Sequence, residues 1–514
     1  MYMQRRTIRL LIASLVFLLA ALLLAGCPNF TQDTDPVLGE FESVSPNDTK
    51  YDQQWNLDYI AMEKAWGVLN SSEVNEMLSA DNLPREVVVA VLDTKIDAGH
   101  PDWNEWTLLE HFNATEEDEP YADNHGTHVA GTIAAAADNN DGIAGVGWIP
   151  SGARVRIMPI SVFVESDNPD PNITSKARIP YIVDGLLYAA DMHPGKKPER
   201  SAHVINLSLG QGQFDSVLHD AIKRVQAEGI TVVAAAGNNS CGPVLFPAFD
   251  PNTIAVGSTN PPDDNRAAYS SCGDAVDIAA PGGGGPESDD SFSGILSLSH
   301  TNPDEDLSQS FVTETESDDY TNMAGTSMAA PHVSGVAALL YAVTNDMTPS
   351  AVRQILTETA SPVTHAGSLP NEEYGWGLLN AERAVRRALM KPYGPYRNDG
   401  SATVHESWPF SPQGNIDIDT PDSTEPPPEG TYATDRAALV LEDEWYSSTS
   451  GTQRQARLDE IAQEHGLASI ADRGHRYPSA RLRDGDEIST DLLEALGDEP
   501  EIRTAEYSVF FYRQ

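Results

Sequence analysis

The stretch Tyr320–Val343 has the sequence YTNMAGTSMAAPHVSGVAALLYAV. Small residues crowd its first half, and its second half is an apolar run without a charged residue, a pattern that predicts a buried helix. A proline is tolerated in the first turn of a helix, whereas deeper inside it removes a backbone hydrogen bond, so Pro331 is expected in the first turn. Ser327 then lies at the helix entrance.

A serine at a helix entrance has two interpretations. Its hydroxyl can cap the helix by accepting a hydrogen bond from a backbone N–H group. Alternatively it is a nucleophile, because the free N–H groups and the positive end of the helix dipole stabilise negative charge that develops beside it. A nucleophilic serine also needs a base that takes its proton and a carboxylate that orients the base.

Candidates for these two partners lie earlier in the chain. The stretch Val87–Ile96, VVVAVLDTKI, contains an apolar run that predicts a buried parallel strand ending on Asp93. A carboxylate at the C-terminal end of such a strand lies where open α/β sheets place their ligand crevice. In the segment Asp123–Ala137, DNHGTHVAGTIAAAA, a polar turn with His125 opens a helix of small residues. Taken singly, Asp93 can be a turn residue and His125 a helix cap.

The order Asp93, His125, Ser327 resembles that of the subtilisin-like serine peptidases, the subtilases. The resemblance covers Asp48–Met390 and rests on separate segments that stand in the family's order: VLDTKID, HGTHVAGT, VINLSLG, AAAGNNS, VDIAAPG and GTSMAAPHVSG. It implies an α/β domain with a mainly parallel sheet flanked by helices, and hydrolysis of peptide bonds. The alternation of strands and helices between Val87 and Ala236 predicts the same fold class.

The resemblance also assigns roles to individual residues. Asp93 orients His125, His125 takes the proton of Ser327, and Asn238 donates a hydrogen bond to the oxyanion. No organic cofactor is needed for this chemistry. Contacts with the substrate are expected from two segments, Ser208, Leu209 and Gly210 in the first and Ala235, Ala236 and Gly237 in the second.

A structural calcium site is expected from the same resemblance. Its predicted ligands are Asp48, Asp102, Asn139, Asp141 and Ile143, the last two through backbone oxygens. A set of oxygen ligands suits a hard cation. The alternative is a solvated turn rich in Asn and Asp.

Lys95 departs from the family pattern, which usually has glycine after the Asp-Thr pair. If the backbone there requires a positive φ, lysine adds strain of about 1 kcal/mol or more. If it does not, lysine brings a positive charge near Asp93. In either case we expect reduced or altered activity rather than none.

Composition limits the partners. The 514-residue chain carries a formal net charge of −45. Nucleic acids and anionic membrane surfaces both require a basic face on the protein, so this charge argues against them. We expect a monomer that acts on a peptide or protein substrate. A catalytically silent surface lipoprotein that uses the same fold for binding is the alternative.

The N-terminus predicts export. In residues 1–26 a basic segment precedes an apolar run that ends in Leu24-Ala25-Gly26-Cys27. This ending resembles the bacterial lipobox, which implies a lipidated Cys27 and anchoring at the outer membrane or cell surface by the lipid alone. An uncleaved membrane anchor is the alternative. In an exported chain the two remaining cysteines, Cys241 and Cys272, are expected to pair, although one of them can instead be a buried thiol.

The chain divides into a signal peptide (1–26), a tether (27–47), the peptidase domain (48–390), a linker rich in Pro, Gly and Asp (391–435) and a second domain (436–514). The second domain shows the order β-α-β-β-α-β of an α+β ferredoxin-like fold. It resembles subtilase inhibitory prodomains. We therefore expect it to assist folding and to restrain activity, with Tyr507–Gln514 near the substrate cleft. An adhesive or spacer domain is the alternative.

Overall fold

The computed structural model describes residues 41–72, 74–76, 86–166, 175–260, 265–284, 294–300, 312–317, 319–363, 365–390, 432–441, 451–465, 467, 469–471, 479–481, 496 and 502–513. The predicted signal peptide, Cys27 and Gln514 lie outside these residues, as does most of the tether and the linker. Among the residues described, no helix is long and apolar enough to cross a membrane.

The part of the chain up to residue 390 contains both strands and helices. The strands are β1 (Glu86–Asp93), β2 (Phe112–Asn113), β3 (Arg154–Ser161), β4 (Phe163–Glu165), β5 (Ser175–Arg178), β6 (Val204–Leu207), β7 (Leu209–Gly210), β8 (Thr231–Ala235), β9 (Thr253–Asn260), β10 (Asn265–Arg266), β11 (Ile278–Pro281), β12 (Ile295–Leu298), β13 (Val312–Ser317) and β14 (Tyr320–Met323). The helices are α1 (Trp55–Tyr59), α2 (Met62–Asn70), α3 (Asn124–Ala134), α4 (Ile179–Ala189), α5 (Ser216–Ala227), α6 (Thr326–Ala342), α7 (Pro349–Thr359) and α8 (Ala381–Leu389), with a 3₁₀ turn at Tyr51–Gln53.

A mainly parallel sheet forms the body of the protein, as predicted. Its order is β10-β9-β8-β6-β1-β3-β2, with β11 also paired to β9, and only the β10–β9 pair is antiparallel among these described strands. Strand β1 is apolar on both faces and buried from Val87 to Asp93, as expected of a strand covered by helices on both sides. Because the strands are parallel, their carboxyl ends lie at one edge, and Asp93 lies there.

Strand β1 ends at Asp93, as predicted. The Thr94 N–H donates to Asp93 Oδ1 at 2.7 Å where the strand ends. The apolar pattern alone does not contain this side-chain hydrogen bond. The candidate aspartate is therefore the last residue of the strand.

Helix α6 runs through the core, and all 17 of its residues are buried. It begins at Thr326, so Ser327 is near the helix entrance as predicted. The expectation for Pro331 is wrong, since this proline lies inside the helix as its sixth residue. A helix that is apolar all round is typical of a core position, and packing on both sides of α6 allows a proline that an exposed helix would not tolerate.

The C-terminal region contributes a further sheet. Its elements are β15 (Tyr432–Leu441), α9 (Gly451–Glu464), β16 (Ser469–Ala471), β17 (Ser479–Arg481) and β18 (Ile502–Arg513). These strands pair in the order β16-β17-β15-β18, and each pair is antiparallel. Between β17 and β18, where the predicted order has a second helix, only Leu496 is described. Strand β18 continues beyond this sheet and pairs with β5 and β7 of the peptidase domain.

Cys241 and Cys272 are joined by a disulfide that links positions 31 residues apart. Backbone hydrogen bonds hold the same two segments together, from Ser240 N to Tyr269 O at 2.7 Å and from Cys241 N to Ser270 O at 2.8 Å. The covalent link and the hydrogen bonds fix the loop that follows β8. Asn238 lies in this loop.

Candidate active site

Asp93 and His125 form a buried hydrogen-bonded pair. His125 Nδ1 donates to Asp93 Oδ1 at 2.7 Å, with side-chain exposures of 4% and 0%. A carboxylate only accepts hydrogen bonds, so the proton of the neutral imidazole is on Nδ1. The other ring nitrogen, Nε2, is buried and has no hydrogen-bond partner among the described residues. Its lone pair is therefore available to accept a proton from a hydroxyl.

A set of short contacts fixes the distance between Asp93 and His125. Asp123 caps helix α3 by accepting from the His125 N–H at 2.8 Å, which is the expected role of an aspartate at this position. Thr94 Oγ1 donates to Asp123 Oδ1 at 2.8 Å and accepts from the Gly126 N–H at 2.9 Å. The end of β1 and the start of α3 are thus bonded directly. Neither Thr94 nor Asp123 stands out in the sequence as a candidate site residue.

Gly126 is required by this close approach. A Cβ atom at position 126 would lie 2.4 Å from the backbone oxygen of Thr94, and backbone cannot move aside as a flexible side chain can. Any larger residue would push α3 away from β1 and lengthen the contact between Asp93 and His125. The glycine after His125 therefore has a packing role.

The second histidine of the same motif, His128, belongs to the core. Its Nε2 contacts the Ile295 backbone oxygen at 2.8 Å, and burial lowers its pKa to about 3. It remains neutral at physiological pH. Of these two histidines, only His125 has one ring nitrogen that faces a carboxylate and a second one without a partner among the described residues.

Ser327 is the second residue of α6 and is fully buried. Its hydroxyl donates to the backbone oxygen of Ser208 at 3.3 Å and is not hydrogen-bonded to His125 Nε2 in this conformer. Catalytic hydrogen bonds are often absent without substrate and form only in the complex. Rotation about the Cα–Cβ bond of Ser327 changes the direction of its hydroxyl without moving the helix.

Asn238 is held beside Ser327 through Thr326. Its side-chain oxygen accepts from the Thr326 N–H at 3.0 Å and from Thr326 Oγ1 at 2.9 Å. Both contacts use Oδ1, which leaves the Nδ2 amide group on the other side for a substrate oxygen. The Ser327 N–H has no partner within the helix because it lies in the first turn. Two N–H donors therefore flank the nucleophile candidate.

Gly237 sets the direction of this loop. Its φ of +111° belongs to the region that favours glycine, and a Cβ atom there would lie 2.6 Å from Leu245 Cγ. Its N–H donates to Thr326 Oγ1 at 3.1 Å. The turn after β8 thereby directs Asn238 towards the start of α6.

The two predicted substrate segments have different surroundings. Leu209 and Gly210 form β7, whose pairing partners are Arg513 and Tyr512 of β18. Ala235 is the last residue of β8, opposite Val256, and the Ala236 N–H donates to the Val256 backbone oxygen at 3.0 Å. The backbone of Ala236 is therefore bonded to the main sheet, whereas β7 pairs with β18 of the C-terminal region.

The backbone at Lys95 decides between the two alternatives for this residue. Lys95 is not among the residues with a positive φ, so the condition for strain is not met. Its side chain forms an exposed ion pair, with 3.0 Å between Nζ and Glu119 Oε2. The positive charge is thus directed at a carboxylate on the surface.

Three segments bring the predicted calcium ligands together. Asp102 accepts from Asn139 Nδ2 at 2.9 Å and from the Ile143 N–H at 3.0 Å, while Asp48 Oδ2 accepts from the Asp138 N–H at 2.8 Å. The pKa of Asp102 is raised to about 7, mainly by burial and also by the nearby carboxylates of Asp48 and Asp141, while its hydrogen bonds lower it.

The chemistry of this loop fits a hard cation in part. The side chains around it offer the oxygen ligands that such an ion prefers. The charge of the ion would also offset the repulsion between the neighbouring carboxylates. The present hydrogen bonds, however, turn N–H groups towards the carboxylate oxygens, and Asn139 would have to turn its amide to become a ligand. No cluster of three or more His, Cys, Asp or Glu side chains that could hold a metal occurs in the described part of the chain.

Comparisons with known proteins agree with this geometry. The sequence model of the Subtilase family matches residues 84–377, more than half of the chain. Thermitase of Thermoactinomyces vulgaris is 30% identical over 348 residues, covering 66% of this chain and 99% of thermitase. An extracellular protease of Xanthomonas campestris pv. campestris is 31% identical over 402 residues, covering 71% of this chain and 61% of that protein.

A solved structure gives the same result for the fold. A protease of Pseudoalteromonas arctica PAMC 21717 superposes with a TM-score of 0.50 at 31% sequence identity, covering 67% of this chain and 100% of that one. The parallel sheet, the buried Asp93–His125 pair and the motif matches agree with one another. The chain therefore belongs to the subtilase family and is a subtilisin-like serine endopeptidase.

Proposed function

We propose that Asp93, His125 and Ser327 form the catalytic triad that hydrolyses peptide bonds through an acyl-enzyme. The observation that carries the proposal is the buried 2.7 Å hydrogen bond from His125 Nδ1 to Asp93 Oδ1, together with the unpartnered His125 Nε2. Ser327 Oγ turns from the Ser208 carbonyl to His125, gives its proton to Nε2 and attacks the scissile carbonyl carbon. Asp93 stabilises the imidazolium that results.

The remaining steps use the same groups. The Asn238 amide and the Ser327 N–H donate to the oxyanion, and one such donor typically contributes about 3 kcal/mol in the transition state. The imidazolium of His125 then protonates the leaving amine as the C–N bond breaks. Water attacks the acyl-enzyme, with His125 as base, and releases the acid and the free Ser327 hydroxyl.

Removal of the nucleophile tests the triad. Ser327→Ala is expected to abolish labelling by a fluorophosphonate and to lower kcat by about 10⁶-fold, while Asn238→Ala lowers kcat by roughly 10²-fold to 10³-fold and leaves labelling detectable. Labelling and peptide hydrolysis are measured on the same preparations. If the wild-type protein is neither labelled nor active, the proposed triad is contradicted, and the alternative of a catalytically silent binding protein is favoured.

We also propose that residues 436–514 restrain the peptidase. Strand β18 pairs antiparallel with β5 through Phe510 and Phe511, and with β7 through Tyr512 and Arg513. It therefore occupies the edge of β7 that the family uses to bind an extended substrate. The order β16-β17-β15-β18 supports the ferredoxin-like, prodomain-like assignment. It also places β18 at the edge of the C-terminal sheet, where this strand can pair with a second sheet.

Disruption of this pairing is expected to increase activity. Tyr512→Pro removes a backbone N–H and breaks the strand, so kcat/KM for a short peptide should rise several-fold. Tyr512→Phe is the matched control, because it keeps the backbone groups and should behave like the wild type. The chain Cys27–Lys391 is compared in the same assay. Equal rates for all of these proteins would show that β18 imposes no restraint.

We propose a calcium ion at the loop of Asp48, Asp102 and Asn139, as the resemblance to subtilases implies. Calcium is expected to raise the unfolding temperature of the wild type by several degrees relative to the protein in EDTA, because a bound ligand stabilises the folded state. Asp102→Asn keeps an acceptor for the Ile143 N–H and loses the charge, so its unfolding temperature should not respond. Equal unfolding temperatures of the wild type with and without calcium would mean that hydrogen bonds alone hold this loop.

Export and anchoring complete the proposal. A relative named as an extracellular protease supports export, and the sequence around Cys27 suggests a lipid anchor at the cell envelope for a monomeric enzyme. Labelled palmitate should enter the wild-type chain and not Cys27→Ser when both are expressed in a bacterium. Incorporation into neither chain would contradict the anchor and would leave the proposed chemistry unaffected.

A further inference from the structure

Pro331 leaves a gap in the hydrogen bonds of helix α6. In a regular helix the N–H of residue 331 would donate to the backbone oxygen of residue 327, four positions earlier. Proline has no N–H, so this donor is missing. The oxygen concerned belongs to Ser327, the proposed nucleophile, and the whole residue is buried. A buried carbonyl needs another donor.

Ser208 supplies that donor from outside the helix. Its hydroxyl donates to the Ser327 backbone oxygen at 2.9 Å. The same hydroxyl accepts from Asn206 Nδ2 at 3.0 Å, and Asn206 Oδ1 accepts from the Ser334 hydroxyl at 2.8 Å. All four residues have 0% exposure. The hydrogen bonds run in one direction, from Ser334 in α6 through the sheet and back to Ser327 in the same helix.

This series of hydrogen bonds connects the parts of α6 before and after Pro331. Ser334 lies seven residues after Ser327 in α6, and Pro331 lies between them. Asn206 lies in β6, and Ser208 lies between β6 and β7, so the same hydrogen bonds also join the helix to the sheet. Because each polar group both accepts and donates, the orientation of the Ser208 hydroxyl is determined by its neighbours and not by free rotation.

We propose that Ser208 is a positioning residue for Ser327, which its hydroxyl holds in place through the backbone oxygen that Pro331 leaves without a donor. This inference rests on the proposed function, since it concerns the reactivity of Ser327. Rotation of the Ser327 carbonyl would rotate the adjoining bonds of Ser327 and tilt its Cα–Cβ bond. The path of Oγ towards His125 Nε2 and the direction of the Ser327 N–H would both change, and a small displacement at a reacting atom has a large effect on rate.

The positioning role is separable from substrate binding. Ser208 precedes β7, whose backbone pairs with another strand, so a defect in binding would appear as a higher KM for extended peptides. Loss of the hydroxyl should instead lower kcat. It should also slow the reaction with a small fluorophosphonate, which reaches Ser327 without pairing to β7.

A double-mutant cycle with Pro331 tests the inference. Ser208→Ala is expected to lower kcat and the fluorophosphonate rate constant by roughly tenfold, with KM nearly unchanged. Ser208→Thr keeps a hydroxyl and should restore much of the loss. In a Pro331→Ala background, the N–H of residue 331 can donate a hydrogen bond to the backbone oxygen of Ser327. The loss caused by Ser208→Ala should therefore shrink to about twofold or less.

The rates are referred to the fraction of protein that the fluorophosphonate titrates, so misfolded material does not contribute. An equal loss from Ser208→Ala in both backgrounds, no loss in either, or a change in KM alone would overturn the inference. Should Ser208→Ala fail to fold, Ser334→Ala is measured in its place. It is expected to lower kcat by a smaller factor, and this decrease should also depend on Pro331. A wild type without labelling or hydrolysis would instead contradict the proposed triad, so the two failures are distinguishable.

Discussion

The site depends on the buried hydrogen bond between Asp93 and His125. A carboxylate out of contact with water needs hydrogen bonds to be stable, and Asp93 Oδ1 accepts from His125 Nδ1 and from the Thr94 N–H. Asp93 Oδ2 is buried and has no hydrogen-bond partner among the described residues. The same bond determines the tautomer of the ring and leaves Nε2 as the acceptor. The contacts of Thr94 with Asp123 and Gly126 keep strand and helix at the required separation. The geometry of the pair is thus a property of the β1–α3 junction.

A second constraint is the burial of polar groups along α6. This helix lies in the core with its serines and histidine, and each has a defined partner. His332 illustrates the result: its Nδ1 contacts the Met328 backbone oxygen at 2.7 Å and its Nε2 contacts Asn56 Nδ2 at 2.7 Å, while burial lowers its pKa to about 4 and keeps it neutral. Pro331 fits in the same helix because the sheet replaces the donor that proline lacks. Rigidity at Ser327 therefore comes from neighbouring elements as much as from the helix itself.

The C-terminal strand adds a feature that the peptidase core does not have by itself. Strand β7 is two residues long, and an exposed edge of this kind offers unpaired backbone groups to any extended segment. In this structure β18 pairs with that edge. Under the proposed restraint, β18 must leave this edge before a substrate can pair with β7 in the same register. The balance between the two pairings would then set how much of the enzyme is open.

The sequence by itself determined the fold class, the family and the identity of Asp93, His125, Ser327 and Asn238 as candidates, because these features are encoded locally, in apolar periodicity and in short motifs around glycines. It also placed a strand at the C-terminus. It did not reveal Pro331 inside α6, the unstrained backbone at Lys95 or the contacts of Thr94, Asn206 and Ser334. Each of these depends on a partner far away in the chain, such as Ser208 for the carbonyl of Ser327. Only the tertiary structure brings such partners together, because a side-chain hydrogen bond depends on distance in space and has no period in the sequence.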